Sequence, residues 1–222
     1  NFGKKLISIN NKIELAQSKS VYKNSIKIIA VTKTHPFSFI EKSYNSNIYS
    51  IGENKVQEAE KKFEPFQKMP KIERRFIGHL QSNKVRKCLS LFDTVDTIDS
   101  VKLAKKISNI AKETNRKITG LIEINTSGEN QKKGFLPKEV DDIQKCLNLP
   151  SLKIVGLMTI GPNTKNINKV RRAFKNLRKL KDLINTKNKN RDLSELSMGM
   201  SGDYEVAIEE GSTMIRLGTA LF

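Results

Sequence analysis

The chain has 222 residues, enough for one domain to bury a sizeable core without a disulfide or a metal staple. Its 41 Lys and Arg against 23 Asp and Glu give a net charge of +18, while 37% hydrophobic residues are too many for a disordered chain. The only cysteines, Cys88 and Cys146, lie far apart, which excludes a disulfide framework and a cysteine-based zinc site and fits a reducing cytoplasm; no apolar run reaches membrane-span length, and residues 1–5 do not read as a signal peptide.

A first helix is expected over 3–18. Strand-like runs then alternate with helical patterns. Strand 27–32 precedes helix 38–46, strand 48–52 precedes helix 55–66, and strand 75–78 precedes helix 82–89. The series continues with strand 94–98 and helix 101–114, strand 118–125 and helix 138–147, and strand 153–158 and helix 165–186. Strand 193–196, helix 204–210 and strand 213–217 complete it. Such alternation implies right-handed crossovers and a parallel sheet. Eight strands with their helices fit a single-domain (β/α)8 TIM barrel over 1–222 better than an open doubly wound sheet.

The positive charge is densest over 165–191, where Ile167, Val170, Phe174, Leu177, Leu180 and Ile184 recur at helical spacing. Lys and Arg cover the other face. Phe174 lies on the apolar stripe, so no aromatics interleave with the basic residues as a nucleic-acid surface would require. The charge, including the Lys/Asn-rich stretch 185–190, therefore reads as a solvated surface. Nucleotide-binding GxGxxG and P-loop patterns are missing, and His35 and His79 are the only histidines, which excludes HExxH. Gly199-Met-Ser-Gly202 lacks the spacing of a nucleophile elbow.

In a barrel of this kind, chemistry sits at the C-terminal strand ends. Those ends read Lys33, Glu53-Asn54, His79, Asp99-Ser100, Asn125-Thr126, Met158-Thr159, Ser197-Met198-Gly199 and Arg216-Leu217-Gly218-Thr219. Lys33 follows an apolar strand. Burial there would favour its neutral amine, as a Schiff-base lysine needs, against the alternative of an ordinary surface lysine. His79 reads as a hydrogen-bonded residue or a site residue. Residues 197–203 and 216–219 are small enough to expose backbone N–H groups to an anion, against the alternative of a turn capped by Asp203.

Seven stretches carry a family resemblance: Ala30-Val-Thr-Lys-Thr-His-Pro36, Gly52-Glu-Asn-Lys-Val-Gln-Glu58, Phe76-Ile-Gly-His-Leu-Gln-Ser-Asn-Lys84, Asn125-Thr-Ser-Gly-Glu129, Gly156-Leu-Met-Thr-Ile-Gly161, Leu196-Ser-Met-Gly-Met-Ser-Gly-Asp-Tyr-Glu205 and Gly211-Ser-Thr-Met-Ile-Arg-Leu-Gly-Thr-Ala220. In this order they resemble the YggS/PROSC family of pyridoxal phosphate homeostasis proteins. The resemblance implies an alanine racemase N-terminal-type barrel with pyridoxal 5′-phosphate held as a Schiff base on Lys33. It implies phosphate contacts at Ser201, Gly218 and Thr219, Arg216 at the pyridine nitrogen, and Asn54 and Met198 beside the ring. No metal is implied.

The implied role is a cytoplasmic carrier and regulator of free cofactor, monomeric and without catalytic residues, that supplies apoenzymes. No membrane or specific nucleic-acid partner is expected. The rival is a racemase-like enzyme of the same barrel family, but those enzymes carry a second β domain for which this chain has no length left. Two departures stand out. His35 replaces a second lysine common in the family, and members usually continue past the position of Phe222.

Overall fold

The computed structural model describes residues 2–63, 69–129, 131–188 and 192–222. Its strands are β1 (Lys27–Val31), β2 (Ser50–Glu53), β3 (Glu73–Phe76), β4 (Thr94–Ile98), β5 (Ile118–Glu123), β6 (Leu152–Met158), β7 (Glu195–Met200) and β8 (Met214–Leu217). They pair in chain order, all parallel, and β8 returns to β1 through Ile29↔Arg216 and Ala30↔Leu217, closing the barrel. The helices are α1 (Phe2–Lys19), α2 (Phe37–Tyr44), α3 (Val56–Lys62), α4 (Val85–Leu91), α5 (Val101–Glu113), α6 (Val140–Leu147), α7 (Ile167–Lys187) and α8 (Tyr204–Glu209). The expected α/β barrel is the observed fold. The part of the third helix expected over 64–66 lies outside the described residues.

Alternation along the strands divides the core. Ile29, Leu121, Met158 and Met214 form a small inner cluster, and a larger core fills the space around it. The stripe of α7 is buried from Val170 to Ile184, but Ile167, on the first turn, stays exposed. Asn166 caps that helix by accepting from the N–H groups of Asn168 and Lys169, and Ser100 caps α5 by accepting from Leu103. Arg75 on β3 forks onto Asp96 on β4 at 2.8 and 3.0 Å, with both side chains buried.

β7 departs most from the sequence reading. Residues 197–199, expected as a rim loop, lie within the strand. Gly199 has φ +98°, and the β7–β8 register shifts between Ser197 and Met200. A Cβ at Gly199 would stand 2.7 Å from the Cβ of Ala207 and 2.9 Å from the Cα of Tyr204. Glycine therefore permits both the left-handed kink and the close approach of α8.

Candidate functional site

A cavity of about 700 Å3 opens at the C-terminal ends of the strands. Lys33, Asn54, Ser201, Arg216, Gly218 and Thr219 all line it. Met198 does not. It is fully buried in the main core, because its side chain leaves β7 on the side opposite the cavity, whereas Met200, beyond the irregularity at Gly199, lines the wall.

Lys33 lies two residues past the end of β1 and is exposed, so the expected burial of its amine is not met. The backbone beneath it is tied down. Thr32 is fully buried, and its hydroxyl donates to Glu53 Oε1 at 2.7 Å. Lys62 on α3 donates to the same Oε1 at 2.9 Å and to the Thr32 carbonyl at 3.0 Å. Thr34 then takes φ +64°, a region that β-branched residues rarely enter, and the His35 N–H closes the turn onto the Thr32 carbonyl at 3.0 Å. His35 stacks on Phe39 and tilts against Phe222, with ring centroids 4.4 and 5.2 Å apart.

Past the end of β8, the strand paired with β1, the backbone N–H groups of Gly218 and Ala220 point at Ser201 Oγ, at 3.4 and 3.1 Å. A Cβ at Gly218 would come no closer than 3.7 Å to any atom, and one at Gly202 would meet nothing within 4 Å. Gly202 leaves bare backbone facing open space, and Gly218 leaves its backbone uncovered beside Val31. With the Ser201 hydroxyl they form a cluster of donors whose chemistry suits a phosphate. Asp203 does not cap α8 with its side chain as the turn-and-cap alternative requires; its Oδ1 accepts from Met200 N–H at 2.6 Å. Burial pushes the Asp203 carboxyl up, and that bond together with Arg216 pulls it back.

Arg216, the third residue of β8, lines the cavity. Its Nη1 donates to the Ser197 carbonyl at 2.9 Å and to Ser197 Oγ at 2.7 Å, and its Nη2 to the Thr159 carbonyl at 2.8 Å. These bonds use only the Nη groups and fix the guanidinium plane. Burial pushes its pKa down, opposed by Asp96, Asp203 and Glu123. Glu53 makes no pair with it and is held by Lys62 instead.

Two groups deepen the site. His79 Nδ1 lies 3.1 Å from Asp99 Oδ2, which orients an exposed imidazole at the cavity wall. Glu123, the last residue of β5, is 7% exposed and lines the cavity, with no hydrogen bond from its carboxyl among the described residues. Burial, reinforced by Asp99 and opposed by Arg216, pushes it up to about 7. Sequence reasoning passed over Glu123. The available signal was a lone carboxylate near the C-terminal end of the apolar run Leu121-Ile-Glu-Ile124. Asn125 and Thr159, read as rim residues, mainly build the rim: Asn125 Nδ2 donates to the Glu129 carbonyl at 2.9 Å, and Thr159 Oγ1 donates to the Ile124 carbonyl at 2.7 Å. Among the described residues no His/Cys/Asp/Glu group could hold a metal ion, and no helix is long and apolar enough to cross a membrane.

Residues 5–222 match the family described as alanine racemase, N-terminal domain. The chain is 40% identical over 200 residues to the pyridoxal phosphate homeostasis protein of Aquifex aeolicus, covering 90% of this chain and 87% of that one. PipY of Synechococcus elongatus, solved without PLP, superposes with a TM-score of 0.90 at 30% identity and full coverage of both chains. The same protein with PLP bound gives a TM-score of 0.87. An alanine racemase of Clostridium difficile shares the fold, with a TM-score of 0.80 at 18% identity, and this chain covers 59% of it.

Proposed function

Because the chain belongs to the alanine racemase N-terminal domain family, we propose that it binds pyridoxal 5′-phosphate in this cavity and acts in its homeostasis. The observation that carries the reading is that an accessible amine, Lys33 after β1, and the donor cluster of Ser201, Gly218 and Ala220, the last two just past the adjacent strand β8, stand at one cavity. The Ser201 hydroxyl and the backbone at 218–220, with Thr219 beside them, hold the phosphate. When bound, the cofactor supplies an electrophilic aldehyde and a ring that can accept electrons. Lys33 supplies the amine that meets the aldehyde, and Asn54 flanks the ring.

Arg216 faces the pyridine nitrogen. It keeps its own proton and can only donate there, so the nitrogen stays unprotonated and electron withdrawal by the ring is weak. Weak withdrawal favours a carrier, although an arginine at that nitrogen does not by itself forbid turnover; the role proposed is a monomeric cytoplasmic protein, with 1–222 as one binding unit, that limits free cofactor and passes it to apoenzymes. The test is borohydride reduction of the pyridoxal phosphate-loaded protein, followed by peptide mass analysis. The pyridoxyl group is expected on Lys33, and its appearance mainly on Lys84 or Lys132 would refute the assignment. Amino-acid turnover by the loaded protein on the order of 1 s⁻¹ or faster would refute the carrier role.

A further inference from the structure

Glu123 is more than nine-tenths buried as a residue, its carboxyl makes no hydrogen bond among the described residues, and it borders the cavity. An unpaired carboxylate in such a place is unfavourable, whereas a neutral carboxylic acid there has a donor to offer. We propose that Glu123 is a binding residue of this cavity that takes up a proton when a ring-bearing phosphate monoester binds. The ligand is then retained against a neutral carboxyl and released as that carboxyl ionises. The inference rests on the cavity being the pyridoxal phosphate site.

The surrounding charges set the direction. Asp99, after β4, acts on Glu123 and raises its proton affinity, and Arg216 on β8 lowers it. His79, after β3, pairs with Asp99 at 3.1 Å. Asp96 on β4 and Asp203 before α8 both act on Arg216. Lys33, Lys132 and Lys133 stand around the opening, with Lys132 bonded to Glu129 and to the Gly161 carbonyl, each at 2.7 Å. Arg216 is thus already shared among several carboxylates before an anion enters. A phosphate monoester adds up to two negative charges to this enclosed space and competes for Arg216 and the lysines. The nearest relief is protonation of Glu123, the one carboxyl here that burial has already brought to about 7.

The probe is pyridoxine 5′-phosphate, whose alcohol cannot condense with Lys33, so the covalent step drops out of the proton balance. Calorimetry in buffers of different ionisation enthalpy measures the protons taken up on binding. The wild-type protein is expected to take up about half a proton at pH 7 and close to one at pH 8. Its affinity should fall roughly five- to tenfold more than that of Glu123→Gln between pH 7.5 and 8.5. The ligand's own ionisations are common to both proteins and cancel in the difference. Asp99→Asn should move the wild-type profile to lower pH, and it provides the comparison if Glu123→Gln fails to fold. Saturable binding with no proton uptake, or with uptake unchanged in Glu123→Gln, would overturn the inference alone. Failure of the wild-type protein to bind the probe would overturn the binding-site reading and this inference with it.

Discussion

Lys62→Met tests how the end of β1 is held. Glu53 is fully buried, and one of its oxygens accepts from the Thr32 hydroxyl at 2.7 Å and from Lys62 at 2.9 Å. Its other oxygen has no partner among the described residues. Removing the ammonium leaves a buried carboxylate with one neutral hydrogen bond, and breaking a buried pair in this way costs about 3–5 kcal/mol. For a domain of this size each kcal/mol lowers Tm by roughly 2–4 °C, so the expected fall is about 6–20 °C. The double variant Glu53→Gln/Lys62→Met carries no charge there and should recover at least about half of the loss, because the uncompensated carboxylate is the dominant cost. Urea unfolding at pH 7, followed by circular dichroism, measures all three proteins. The same samples should show slower borohydride trapping at Lys33 in Lys62→Met, since Lys62 also holds the carbonyl of Thr32, the residue before it. A single-variant loss below about 1 kcal/mol, or no recovery in the double variant, would refute the reasoning.

Gly218→Val should fold, because a Cβ there meets nothing closer than 3.7 Å, yet weaken pyridoxal phosphate binding by at least about tenfold by filling the space over the backbone donors. Equilibrium dialysis beside Lys187→Ala, a change on the basic surface expected to leave binding unaltered, checks this. Cys88 and Cys146 should resist a disulfide reagent at pH 8 in the native state and react only after unfolding, because burial pushes their thiols up to about 12 and about 11. Glu123, raised from 4.5 to about 7, favours folding below pH 4.5, and that contribution is lost as pH rises to 7. The stability of ligand-free Glu123→Gln relative to wild type should therefore increase between pH 4.5 and 7 and level off above it, which unfolding midpoints across that range will show.

Most strands were legible because a buried parallel strand is a short apolar run between turn signals. The pattern 94–98 marks β4 at both ends, and the helix expected over 101–114 is α5, Val101–Glu113. β7 was misread because 197–200 is Ser-Met-Gly-Met, which looks like a turn, and only the tertiary contact with α8 shows that Gly199 kinks a continuing strand. The same kink explains why Met198 and Met200 could not be told apart. Arg216 was legible from its place near the end of the last strand. Glu123 stands in an equivalent place on β5, but a single carboxylate in an apolar run gives no sign of whether it meets a partner or an open cavity. The environment of Lys33 depends on where the loops leave a gap, and chain order does not state that.

The seam between β1 and β8 gives the cavity a history. Lys27↔Met214 through Ala30↔Leu217 join the two ends of the barrel across nearly the whole chain. Lys33 stands on one side of that seam, and Gly218 and Thr219 stand on the other. During synthesis from the N-terminus, Lys33 emerges with β1, while Gly218 and Thr219 follow only after β8. A chain made only through β7 lacks the residues at 218–220, so on the proposed function it should not retain pyridoxal phosphate. A molecule that has closed its barrel can, and the ligand then acts as a clasp over the longest loop closure in the fold. Amide exchange should reveal it: ligand binding will slow β1 and β8 more than β3 and β4, which lie away from the join.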